Sequence, residues 1–192
     1  MLFNKILCFY LFLVLVFAAS PAKAALTPGD NAPEFTAEAS LGGKVFTFDL
    51  DAALKQGPVV LYFYPAAFTK GCTIEAHDFA EAMDDFKAQG AIVIGVSKDT
   101  LETLNKFSVS ECRGKFPVAA DADGAIMKAY DARLSSLLGI ADRTSYVITP
   151  DHKILYAYSA LDPDQHVANL LTALRSWQKP ADNKGKEHSS GD

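Results

Sequence analysis

Apolar residues recur along this chain in two rhythms, one near-continuous and one helical, and the boundaries between them predict its elements. The runs 59–64 (Val-Val-Leu-Tyr-Phe-Tyr) and 91–97 (Ala-Ile-Val-Ile-Gly-Val-Ser) fit strands buried on both faces. Residues 35–39 and 44–48 flank Leu41-Gly42-Gly43, a hairpin signal. Residues 143–148 likewise face 153–158 across Thr149-Pro150-Asp151-His152. Helical spacing runs through 72–89, where Ile74, Phe79, Met83 and Phe86 are expected on one face and Gly90 closes the pattern. It returns in 100–109, 124–130 and 162–177, the last with Val167, Leu170, Leu171 and Leu174 on its apolar side. Asp49 is placed to cap a short helix over 49–55 that Gly57-Pro58 breaks, and 116–119 reads as a short extended piece.

Strand, helix, strand, helix, hairpin and final helix make an α/β sandwich with a mixed central β-sheet flanked by helices and preceded by an N-terminal β-hairpin. One domain is expected over 25–178. The polar stretch 179–192 has almost no apolar residues and is expected to be disordered. There are no internal repeats.

The first 24 residues follow another logic. A short basic start ending at Lys5, an apolar run of 14 residues from Ile6 to Ala19, and small residues up to Ala24 form a secretory signal peptide with cleavage after Ala24. The run falls short of the roughly 20 residues that span a bilayer, so the mature protein is expected to be exported and soluble, periplasmic or secreted. Cys8 lies upstream of the cut. Three cysteines therefore become two, Cys72 and Cys112, in a compartment where disulfides persist.

The whole chain has a net charge of −5, and loss of the two lysines of residues 1–24, which contain no acid, makes it −7. An acidic chain without basic clusters argues against nucleic acid or an anionic membrane as partner. No phosphate loop, dinucleotide fingerprint or metal-ligand cluster is present in the sequence, so no cofactor is implied.

The candidate chemistry sits in Pro65-Ala-Ala-Phe-Thr69-Lys-Gly-Cys72-Thr-Ile-Glu75. Pro65 ends a buried strand, and Cys72 opens a helix, where unpaired N–H groups and the positive end of the dipole favour a thiolate. Thr69 can offer a hydroxyl to the same place, or simply cap the helix. A buried cysteine can also be a plain core residue, but packing needs neither the threonine nor a cysteine at a helix start.

The pattern Pro-x-x-x-Thr-x-x-Cys resembles the peroxidatic signature of peroxiredoxins, and residues 63–75 look like the bacterioferritin-comigratory (PrxQ) subfamily. The likeness extends over about 29–177. It implies a thioredoxin-like fold and a thiol peroxidase in which Cys72 attacks hydrogen peroxide or an organic hydroperoxide and becomes a sulfenic acid. It also implies that Arg143, before a late strand, supplies positive charge, that Thr69 hydrogen-bonds the peroxide or the thiolate, and that Pro65 shields the sulfur. Glu75 follows the subfamily's Cys-Thr-x-Glu pattern and takes at most a supporting place. A thioredoxin-like or other external dithiol would recycle the enzyme, which is expected to be a monomer.

The chain departs from the subfamily at position 77. Many members carry a resolving cysteine there; this one has His77. Cys112, in Ser110-Glu-Cys-Arg-Gly114, is the remaining candidate, with Arg113 expected to lower its pKa and Gly114 to loosen the helix end. Two other classes stay open. A thiol–disulfide oxidoreductase is disfavoured because position 75 is Glu and no Cys-x-x-Cys exists. A redox sensor or thioredoxin-like binding module would need the two cysteines only to report oxidation.

Overall fold

The computed structural model describes residues 26–134 and 139–186, the last eight by backbone only. The signal peptide expected over 1–24 lies outside the described residues. Seven strands, β1 Thr36–Leu41, β2 Lys44–Asp49, β3 Val59–Phe63, β4 Ile92–Ser97, β5 Val118–Ala120, β6 Thr144–Ile148 and β7 Ile154–Ser159, form one sheet in the order β2-β1-β5-β4-β3-β6-β7. The contacts β3–β4 and β4–β5 are parallel and the others antiparallel, the expected mixed sheet. Its helices are α1 Leu50–Leu54, α2 Lys70–Glu81, α3 Met83–Ala88, α4 Leu101–Ser110, α5 Ala125–Ala129 and α6 His166–Lys186.

The period of two along β3 divides the core. Val59, Leu61 and Phe63 face one layer, with Leu50, Leu54, Tyr130 and Tyr146. Val60, Tyr62 and Tyr64 face the other, which holds Phe79, Phe86, Phe107, Phe116, Leu170 and both cysteines. The centre of this second layer is aromatic, with Tyr62 stacked on Phe79 at 4.3 Å between ring centroids. Tyr62 reaches across the neighbouring strand only because position 95 is glycine: a Cβ there would lie 2.7 Å from its ring. Losing Phe79 to alanine should cost about 3–5 kcal/mol.

Local signals worked where they were specific. Asp49 caps α1, accepting from the Ala52 N–H at 2.9 Å, and Gly42 and Gly43 at φ 55° and 79° make the hairpin turn that joins β1 to β2.

Three expectations need correction. The helix read over 72–89 is two helices, broken at Ala82, whose ψ is near zero. Ile74 is not in the core but 37% exposed. It stands five residues before Phe79, and at about 100° per residue that places it well off the buried stripe. At the other end, the stretch expected to be disordered from residue 179 continues α6 as far as Lys186. Residues 187–192 lie outside the described residues.

Candidate active site

Cys72 is the third residue of α2, and its position follows from what ends β3. Tyr64 still donates to the Val96 carbonyl at 3.2 Å, but Pro65 has no N–H with which to continue the ladder. The chain then turns through Phe68, a non-glycine residue in the left-handed region at φ 63°, and through Thr69, which is extended. Asp99, beyond β4, fixes this turn by accepting from the Ala67 N–H at 2.7 Å and the Ser97 hydroxyl at 2.8 Å. Phe68 sets its ring edge-on to Phe107, 5.2 Å away. Cys72 thus begins its helix from a braced loop, with its side chain 1% exposed.

Arg143, the residue just before β6, reaches the same point. Its Nη2 donates to Cys72 Sγ at 3.5 Å, its Nε to the Leu161 carbonyl at 2.8 Å, and its Nη1 to Glu75 Oε2. Gly71 makes room, since a Cβ there would stand 2.9 Å from Nη2. Desolvation works against the guanidinium charge, but the Glu75 carboxylate and the Cys72 sulfur outweigh it and raise the Arg143 pKa. Glu75 is fully buried, and desolvation pushes its carboxyl up to about 8 although Arg143 pulls it down.

The sequence-derived residues therefore divide. Arg143 touches both Cys72 and Glu75. Pro65 is half-buried in the loop that leads to Cys72. Thr69 is at the N-cap position but makes no cap hydrogen bond; its hydroxyl donates to the Ala66 carbonyl at 2.9 Å. Its lone pairs are left for a donor from outside.

Cys112 is a free thiol, as is Cys72, and both are buried in the same apolar layer. The expectation that Arg113 lowers the Cys112 pKa is wrong. Burial pushes that thiol well up, with Glu111 adding to the effect, and Arg113 turns instead to Glu81, 3.3 Å away. The Cys112 turn bonds to the end of α4: Cys112 donates to the Phe107 carbonyl at 3.1 Å and Gly114 to that of Ser108 at 2.8 Å. His77 also has a defined partner, Glu111, at 2.9 Å.

Sequence reasoning missed Asp99, the Leu161 carbonyl, Ser145 and His166. Single-residue signals for these were absent, because each acts through a contact made only when the sheet is assembled. Among the described residues no cluster of three or more His, Cys, Asp or Glu side chains could hold a metal ion. No described helix is long and apolar enough to cross a membrane.

A cysteine at a helix start thus stands against a buried arginine on a mixed sheet of thioredoxin-like type. The chain belongs to the AhpC/TSA family, whose model matches residues 28–157. Within that family it is a peroxiredoxin of the bacterioferritin-comigratory (PrxQ) type, a thiol-dependent peroxidase. It is 31% identical to the chloroplastic peroxiredoxin Q of Sedum lineare over 155 residues, 80% of each chain. It is 29% identical to the peroxiredoxin Bcp of Xanthomonas campestris, over 69% of this chain and 92% of that protein. The crystal structure of peroxidoxin BcpB from Mycobacterium tuberculosis superposes with a TM-score of 0.71 at 31% identity, covering 79% of this chain and 97% of that one.

Proposed function

We propose that Cys72 is the nucleophile of this peroxidase, with Arg143, Thr69 and Pro65 as its immediate site. The 3.5 Å contact from the Arg143 guanidinium to the Cys72 sulfur carries the assignment. The thiolate attacks one oxygen of hydrogen peroxide or an organic hydroperoxide, a sulfur–oxygen bond forms and the O–O bond breaks. The leaving oxygen departs as hydroxide or alkoxide and takes up a proton to become water or an alcohol. Arg143 stabilises the negative charge that moves from sulfur to the leaving oxygen, and Thr69 accepts a hydrogen bond from the peroxide O–H. Pro65 shields the sulfur.

The sulfenic acid is then resolved by Cys112, with loss of water and formation of a disulfide, and an external thioredoxin-like or other dithiol reduces that bond. Both cysteines lie in one apolar layer, which favours an encounter within a single chain. Their burial requires the first turn of α2 and the Cys112 turn to open locally before they bond. The protein acts as a monomer in an exported compartment, a reading supported by the leader in residues 1–24. Non-reducing peptide mapping after one equivalent of hydrogen peroxide tests the resolution step. A Cys72–Cys112 bridge inside a monomer is expected, and a Cys72–Cys72 dimer or a persistent sulfenic acid would contradict it.

A further inference from the structure

Behind the guanidinium lies a second buried layer of polar groups that the chemistry above does not use. His166, the first residue of α6, is fully buried. Its Nε2 lies 2.9 Å from the Ala160 carbonyl, which can only accept, so this nitrogen carries the proton. Its Nδ1 is 2.7 Å from the Ser145 hydroxyl and 3.7 Å from Glu75 Oε1. The other Glu75 oxygen is taken by Arg143, but Oε1 is buried and makes no hydrogen bond. Arg143 and His166 are anchored to consecutive carbonyls, Leu161 and Ala160, so one loop sets both sides of the carboxyl.

The pairing has a chemical consequence. A neutral imidazole protonated on Nε2 accepts from the Ser145 hydroxyl at Nδ1, whereas an ionised Glu75 leaves Oε1 buried without a donor. One proton on either group relieves that buried charge. At 3.7 Å the two atoms interact through charge and not through a hydrogen bond: a proton held on Glu75 removes the carboxylate charge, and one held on His166 sets an imidazolium beside the carboxylate. In either arrangement the Glu75–His166 pair is neutral as a unit. The charge of Arg143 is then left to the Cys72 sulfur instead of being spent on a carboxylate behind it.

We propose that His166 is a positioning residue for peroxide reduction, acting through Glu75 to leave the Arg143 charge available to Cys72. The inference rests on the peroxidase reading of Cys72. Burial, which raises the Glu75 pKa and lowers that of His166, agrees with a single proton shared by the two. The remaining charged or titratable groups acting here are Asp78 on Glu75, and Asp142 and Asp162 on His166, with the Tyr158 ring edge-on to the imidazole at 4.8 Å.

The test is a cycle of full-length variants, with peroxide reduction followed by stopped flow across pH. His166→Gln keeps an amide donor for Ala160 but cannot share a proton as imidazole does. It should slow the reaction about tenfold and change the shape of its pH profile. In a Glu75→Gln background the same substitution should change the rate less than about twofold, because its route to Arg143 is already cut. Equal losses in both backgrounds, or no loss in either, would overturn the proposal. Ring ¹⁵N spectra of His166 in unmutated protein and in Glu75→Gln supply a readout independent of activity. The Nδ1 signal should move when Glu75 is replaced, and an unchanged signal would refute the coupling even if the peroxidase reading stands. An inactive parent enzyme with a moving Nδ1 signal would instead locate the failure in the peroxidase reading.

Discussion

The His77 imidazole lies 2.9 Å from the Glu111 carboxylate and so ties the helix that carries Cys72 to the turn that holds Cys112. A second tie, from Arg113 to Glu81, runs between the same two elements but is more exposed. If the cysteines meet only after both elements loosen, these ties oppose resolution. Removing the first with His77→Ala loses about 1 kcal/mol of closed-state preference, roughly a fivefold gain in the open form. Quenched-flow mapping should show Cys72–Cys112 bridging quicken by that factor while the first reaction with peroxide is unchanged.

Arg143 contributes more than bulk charge, since it holds Leu161, Glu75 and Cys72 at once. A lysine keeps the charge but cannot make three directed contacts from one planar group. Arg143→Lys should lower the second-order rate with hydrogen peroxide by roughly a hundredfold, and Arg143→Ala by more. Thermal melts run in parallel check that these losses exceed any loss of fold.

Gly71→Ala separates stability from activity. Alanine suits a helix better than glycine by roughly 0.5–1 kcal/mol, yet its Cβ would press on the guanidinium at 2.9 Å. Because Arg143 is held on three sides, it cannot swing away freely. Peroxide reduction should fall about tenfold while secondary structure by circular dichroism is retained.

Much of this site was readable in the sequence where a local rule governs a residue. Pro65, which cannot continue a ladder, and Cys72, at the change from strand to helix rhythm, are of that kind. Ile74 departs from the expected face because five residues at about 100° each turn it away from Phe79. The residues that complete the site could not be read in this way. Arg143 meets Glu75 across 68 positions, and His166 meets Ser145 across 21, through the pairing of β6 with β3 and the docking of α6. Arg113 misled because adjacency to Cys112 in sequence says nothing about where a long side chain finds its carboxylate.

Glu75 gives the fold a pH dependence of definite sign. Its folded pKa, near 8, is above the ordinary 4.5, so the folded state holds a proton that the unfolded state releases. Stability from this group is full below pH 4.5 and is lost as pH rises toward 8. Urea titrations from pH 5 to 9 should show the unmutated protein losing stability relative to Glu75→Gln over that window. Stability of the unmutated protein that rises relative to Glu75→Gln as pH rises would contradict the burial argument.

Export is tested at the amino terminus. Mass spectrometry of protein from the exported fraction should find Ala25 as the first residue, and an intact Met1 in a membrane pellet would contradict the soluble exported form.

The central claim is that the Cys72 sulfur attacks the peroxide. Stopped-flow consumption of hydrogen peroxide by the reduced protein, compared with Cys72→Ser and Cys112→Ser, tests it most directly. The account predicts that Cys72→Ser abolishes the fast phase, whereas Cys112→Ser keeps it and leaves a sulfenic acid on Cys72. Fast consumption that survives Cys72→Ser would contradict it.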